Sequence, residues 1–159
     1  MFYCRKEELR IMNRRYDKGR FECIVIYGRR RVGKTALINE FCKGKETIYF
    51  SALNASSGEN LEALSKAIYL CKNPEGSNAP TYQSYTDALD EITAMAKQRR
   101  IVFVIDEYPY LAKAEKSISS RLQHIIDHVW QETELYLILC GSSMSFMEYQ
   151  VLGYESPLY

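Results

Sequence analysis

No run of this sequence is apolar for long enough to cross a bilayer. The longest, 101–105 and 135–140, fall far short of the ~20 residues that a spanning helix needs. Neither sign of charge is in excess: 21 basic and 20 acidic side chains leave a formal net charge of +1. That balance gives no global electrostatic footprint for nucleic acid or an anionic membrane, so any such contact would need a local patch. The five cysteines form no C-x-x-C pair, and their odd number argues against a disulfide framework. Cys23 and Cys140 fall in apolar runs and Cys42 on a helix face, as small core hydrophobes do in a reducing compartment. The opening residues, Met1-Phe2-Tyr3-Cys4-Arg5-Lys6-Glu7-Glu8, are too polar for a secretory signal. Repeats and low-complexity tracts are missing as well. These absences point to a soluble, cytoplasmic protein with no membrane partner.

What remains is an ordinary globular chain of 159 residues, 47% apolar and 26% charged, which suits one domain over 1–159. That length can bury a core without the help of a metal or a disulfide. Two periodicities alternate along it. Short apolar runs at 21–27, 46–52, 100–105 and 135–140 read as buried strands. Between them lie helical spacings: Leu37, Ile38 and Phe41, closed by Gly44; Leu61, Leu64, Ile68 and Cys71; Tyr85, Leu89, Ile92 and Ala96, with Thr81 as the expected cap; and Leu122, Ile125, Ile126 and Val129. An amphipathic helix over 5–16 precedes them, and 73–80 is the clearest loop. Strands separated by helices of this length imply parallel crossovers, hence an α/β three-layer sandwich with a mainly parallel sheet. Ligands in such folds sit beyond the carboxyl ends of the strands.

The first strand is followed by Gly28-Arg29-Arg30-Arg31-Val32-Gly33-Lys34-Thr35, the pattern G-x-x-x-x-G-K-T. Two glycines let the backbone wrap a phosphate with its amides pointing inward, and the next helix aims its positive end at the same point. Lys34 would place a charge on the β- and γ-phosphates, and the Thr35 hydroxyl would ligate Mg²⁺. A random match in a chain this long has odds of roughly one in a few hundred. Here it also lies between a strand and a helix, as the mechanism requires. Residues Gly28 to Ala36 are therefore the expected nucleotide-binding set. For Arg29, Arg30 and Arg31 two readings stand level: contact with phosphates or a neighbouring subunit, or simple exposure.

The third strand ends in Asp106-Glu107. A carboxylate there can hold Mg²⁺, the Walker B role for Asp106, and a second one can polarise the attacking water, a general-base role for Glu107. The fourth strand ends in Cys140-Gly141-Ser142-Ser143, where a serine could sense the γ-phosphate or cap a helix. No Asn-Lys-x-Asp guanine signature occurs, which favours ATP over GTP. His124 and His128 stand one helical turn apart, but on the polar face of their helix, and read as solvated. Arg99 and Arg100 read the same way. The thirteen tyrosines follow no stacking pattern that would mark a nucleic-acid binder.

The segments YGRRRVGKTALI, VIDEYPYL and CGSSMSFMEYQVLGYESPLY together resemble the archaeal and bacterial ATPase family of the AAA-type P-loop superfamily. The resemblance covers residues 2–159 and is loosest over 53–98. It implies Gly28, Gly33, Lys34 and Thr35 on nucleotide, Thr35 and Asp106 on Mg²⁺, Glu107 as base, and Ser142 or Ser143 as sensor. It also implies the strand order 1-4-3-2. Family members continue into a fifth strand, a helical lid and a DNA-binding or nuclease-like domain, so the ending at 156–159 reads as that of a fragment whose first strand forms an open edge. That early ending is one departure from the family; the other is Phe2-Tyr3-Cys4-Arg5-Lys6, which keeps the arginine but lacks the glycine and acid of the family's nucleoside-contacting segment, while Arg29 to Arg31 and Arg121 are candidates for a catalytic arginine with nothing to choose between them. The expected function is attack of water on the γ-phosphate of Mg-ATP, driving a change in a partner, in further domains or in another copy. Any nucleic-acid contact would lie in the C-terminal domain. The alternatives are an ATP-binding switch with negligible turnover and an inactive remnant.

Overall fold

The computed structural model describes residues 6–28, 33–76 and 79–142. Four strands, β1 (Glu22–Tyr27), β2 (Thr47–Ser51), β3 (Ile101–Asp106) and β4 (Leu135–Gly141), form a single sheet in the order β1-β4-β3-β2. All three ladders are parallel, pairing Ile24 with Ile138, Phe103 with Leu137, and Phe50 with Ile105. Fold class and strand order match the expectation. Among the described residues β1 pairs with β4 alone, and a groove of about 390 Å³ runs along it.

Helices cover both faces. On one side α1 (Lys6–Tyr16) and α2 (Lys34–Cys42) bury Met12, Leu37, Ile38 and Phe41 against Val102, Val104, Tyr136, Ile138 and Cys140. The rings of Phe41 and Tyr136 stack there at 5.0 Å. On the other side lie α3 (Ser57–Lys72), α4 (Tyr85–Gln98), α5 (Tyr108–Ala114) and α6 (Ile118–His128). They pack Leu64, Ile68, Leu89, Ile92, Leu111 and Leu122 onto Ile48, Phe50, Phe103, Leu137 and Leu139. The period-two alternation of each strand thus sorts the sequence between two cores. It also decides which side chains at the strand ends meet: Tyr49, Asp106 and Cys140 all fall on the α2 side.

Three local expectations are corrected. The cap of α4 is Ser84, whose hydroxyl accepts from the Asp87 amide at 3.1 Å, and not Thr81. Ser84 is extended (φ −151°, ψ 163°), the geometry that an N-cap needs, while residues 79–83 precede the helix as irregular chain. Helix α5 was not foreseen. Its seven residues are too few to show a period, although Pro109 suits a first turn, where no amide donor is needed.

The third correction is Arg100, which is no solvated side chain. Its guanidinium lies 5.0 Å and 5.3 Å from the ring centroids of Tyr16 and Tyr136. It donates to the carbonyls of Arg20 and Glu134 (both 2.6 Å), Tyr16 (3.0 Å) and Arg15 (3.4 Å). Burial pulls its pKa below the ordinary arginine value. Arg99, by contrast, pairs with Glu46 at the surface, with a closest approach of 2.7 Å.

Candidate functional site

At the carboxyl ends of β1, β3 and β4 a cleft of about 350 Å³ is lined by Gly33, Lys34, Thr35, Ala36, Glu107, Tyr110 and Ser142. Backbone conformation explains its first wall. Gly28 and Gly33 have φ of 154° and 86°, in the region that disfavours a side chain, so the chain can turn from β1 into α2 within a few residues. Gly33 caps α2, whose opening residues are Lys34, Thr35 and Ala36. Amides in the first turn of a helix have no acceptor within the helix, and the macrodipole adds partial positive charge there. Lys34 is buried, and its ammonium donates to the Gly28 carbonyl at 2.9 Å. Arg29, Arg30, Arg31 and Val32, the middle of the expected phosphate loop, lie outside the described residues.

The second wall comes from β3. Asp106 is buried, and its Oδ2 accepts hydrogen bonds from the Thr35 hydroxyl at 3.3 Å and the Tyr49 hydroxyl at 2.7 Å. Thr35 and Asp106 are 71 residues apart in sequence. The Cys140 thiol also lies beside Asp106, and burial with that neighbouring charge pushes its pKa up. Burial, and then its hydrogen bond to Asp106, push the Tyr49 pKa up as well. Glu107 follows directly, in left-handed backbone geometry (φ 57°, ψ 46°), as the residue before α5. Among the described residues it is the one non-glycine with positive φ. The turn swings its carboxylate away from the strand, where the Ser142 hydroxyl donates to Oε1 at 2.6 Å. The Ser142 side chain thus faces Glu107. Ser143 lies outside the described residues.

The site therefore brings together Gly33, Lys34, Thr35, Ala36, Asp106, Glu107 and Ser142. It does not bring Arg121. That side chain bonds Thr86 (2.9 Å) and Ser117 (3.0 Å) and lines a separate cleft of about 410 Å³ between α4 and α6. His124 and His128 are exposed with ring centroids 4.5 Å apart, and Asp127 accepts from Gln123. Among the described residues no three His, Cys, Asp or Glu side chains lie close enough to hold a metal by themselves. A cation at Thr35 and Asp106 would thus need other oxygens to complete its shell. That suits Mg²⁺, which keeps several waters and uses one or two protein ligands beside phosphates. Tyr49 and Tyr110 escaped the sequence reading. Alternation along β2 puts Tyr49 on the α2 side, which is the signal that could have found it.

Comparison with known proteins gives a consistent result. A sequence model of the ATPase domain found predominantly in Archaea matches residues 2–159. An uncharacterized protein of Methanocaldococcus jannaschii is 37% identical over 159 residues, all of this chain but 34% of that protein. An uncharacterized ATP-binding protein of the same organism is 48% identical over 46 residues, 29% of this chain and 78% of its own length. Among solved structures, the Walker-type ATPase of Pyrococcus abyssi superposes with a TM-score of 0.71 at 21% identity, over 98% of this chain and 50% of that one. The Aeropyrum pernix ORC1 protein, solved in complex with DNA, gives 0.67 at 19% identity, over 97% and 43%. At such identities the likeness is one of fold. The chain spans about a third to a half of the length of these larger relatives. No described helix is long and apolar enough to cross a membrane.

Proposed function

The chain belongs to the family of ATPase domains found predominantly in Archaea, and from that footing we propose that it binds Mg-ATP in the Lys34–Asp106 cleft and hydrolyses it to ADP and phosphate. The observation that carries this reading is the meeting of Thr35 and Asp106 at 3.3 Å, beside a lysine that bonds the Gly28 carbonyl. Lysine and the helix start suit phosphate oxygens, and the hydroxyl–carboxylate pair suits a hard divalent cation. When bound, Mg²⁺ would be held by Thr35 and Asp106 and would neutralise charge on the β- and γ-phosphates.

Glu107 is the base. A water placed against its free carboxylate oxygen gives up a proton to it as the new water–phosphorus bond forms. The bond between the γ-phosphorus and the β-bridging oxygen breaks, and ADP leaves with that electron pair. Ser142 holds the other oxygen of Glu107 and fixes where the base points. Lys34 stabilises negative charge on the phosphates throughout.

A second reading, an ATP-dependent switch with negligible turnover, draws on the same Ser142–Glu107 bond, since a tied carboxylate is a weaker base. Calorimetry with Mg-ATP and phosphate release together decide between them. Lys34→Ala should weaken binding by about 2 kcal/mol, the scale of a lost charge-assisted contact. Glu107→Gln should bind normally yet release phosphate at least about a hundredfold more slowly, as loss of a general base does. Equal phosphate release by Glu107→Gln and the parent removes Glu107 from catalysis. Tight binding with no release above background by the parent establishes the switch.

A further inference from the structure

We propose that Tyr49 is a positioning residue for the metal-holding carboxylate: its hydroxyl, 2.7 Å from Asp106 Oδ2, fixes the plane of that carboxylate so that it meets Mg²⁺ together with Thr35. The inference rests on the Mg-nucleotide reading and adds to it a residue from a strand that contributes none of the motifs.

The geometry leaves few other uses for this hydroxyl. Tyr49 sits in the middle of β2, opposite Val104 in the ladder, two residues before the strand meets the level of Asp106. Its half-buried ring packs against the apolar side chains under α1 and α2, where a tyrosine hydroxyl gains from a polar partner. The partner it finds is Asp106, across 57 residues of sequence. A carboxylate has about four lone-pair positions on two oxygens, and free rotation would spread them over many directions. The tyrosine takes one position on Oδ2 from the β2 side. Thr35 approaches the same oxygen from the α2 side, with a longer bond of 3.3 Å. A hydroxyl can donate to a carboxylate and still offer a lone pair to a cation, so Thr35 need not release Asp106 to become a ligand. With Oδ2 held from two sides the plane of the carboxylate is set, and the lone pairs of Oδ1 remain for a cation. A tyrosine hydroxyl carries no charge at neutral pH and so orients Asp106 without competing for the cation.

The test separates the metal from the nucleotide. ATP affinity of the 159-residue chain is measured by calorimetry at saturating Mg²⁺ and again in EDTA, for the parent and for Tyr49→Phe. The phenyl ring keeps the packing, and a thermal scan checks that the variant unfolds cooperatively near the parent. The expected result is an unchanged affinity for metal-free ATP, because Lys34 and the loop still hold the phosphates. The gain in affinity from Mg²⁺ should fall about tenfold, as it does when a ligating carboxylate loses its supporting hydrogen bond. A merely structural role would weaken both measurements together. Tyr49→Phe with the parent's full Mg²⁺ gain overturns the proposal, as does an equal loss with and without metal. A parent that binds ATP equally well in EDTA overturns the Mg-nucleotide reading itself, a separate result that the parent alone reveals.

Discussion

At the scale of single residues, Glu107 shows a conflict between folding and function. A side chain other than glycine or asparagine costs roughly 1–2 kcal/mol in left-handed geometry, and Glu107 adopts it with φ 57° and ψ 46°. One hydrogen bond from Ser142 recovers part of that cost. Strained backbone kept at the carboxyl end of β3, beside the candidate site, is what a functional constraint would leave behind. Glu107→Asn should therefore leave stability unchanged or raise it by up to about 1 kcal/mol, because asparagine tolerates this geometry, while phosphate release collapses. Urea unfolding beside a phosphate assay reads both effects. A loss of more than about 1 kcal/mol would show that Glu107 serves the fold through Ser142, and the catalytic assignment would lose its support. Tyr49 escaped the sequence because its partner is far away along the chain: it reaches Asp106 across 57 residues. A Lys34 inside G-x-x-x-x-G-K-T is legible because its chemistry is local; a tyrosine in a strand looks like packing until the sheet is assembled.

At the scale of elements, what was legible followed period and length. The four strands are apolar runs bounded by polar residues, and their limits differ from expectation by a residue at most ends. The long helices α3 and α4 announce themselves by buried residues at helical spacing, such as Leu64 and Ile68, or Leu89, Ile92 and Ala96. Helix α5 has too few residues for that signal. Arg100 was misread because charge next to a strand usually faces water, and only the tertiary fold supplies its four carbonyls. It ties the end of α1, the chain entering β1 and the chain entering β4 into one clasp at the amino ends of the strands. A lysine carries the charge but has three donors on one atom, and cannot span carbonyls on different sides or stack between Tyr16 and Tyr136. Arg100→Lys should cost about 2 kcal/mol, the range for hydrogen bonds from a charged donor. Urea unfolding followed by the fluorescence of the single tryptophan measures it well, since Trp130 is fully buried and donates to Thr93 at 2.8 Å. Full retention of stability in Arg100→Lys would reduce the clasp to a charge contact.

At the scale of the whole molecule, one sheet serves two purposes with its two ends. The amino ends are clasped by Arg100 and contain no part of the candidate site. The carboxyl ends carry Gly28, Asp106 and Ser142 on three adjacent strands, with α2 and α5 starting beside them. Lys34, Asp106 and Ser142 come from three separate stretches of chain, so an unfolded chain has no site at all. Binding must therefore add directly to stability. At a ligand concentration a hundred times Kd the addition is about 2.7 kcal/mol, whatever the contacts that produce it. For a domain of this size each kcal/mol raises Tm by roughly 2–4 °C, so a non-hydrolysable ATP analogue with Mg²⁺ should raise it by roughly 5–10 °C. An analogue is the right probe, because a shift that depends on occupancy then owes nothing to turnover. Lys34→Ala should unfold near the parent without ligand, and with Kd raised about thirtyfold by the loss of about 2 kcal/mol its shift at the same analogue concentration should shrink to roughly 2–4 °C. A shift of equal size in both proteins would place the nucleotide elsewhere, the clefts along β1, between α4 and α6, and beside α3 at Leu53 and Lys66 being among the alternatives. A cooperative transition with no shift in the parent, even at millimolar analogue, would mean that the described walls do not bind on their own, and the loop of Arg29 to Val32 or the remaining length of the larger relatives would then have to supply what is missing.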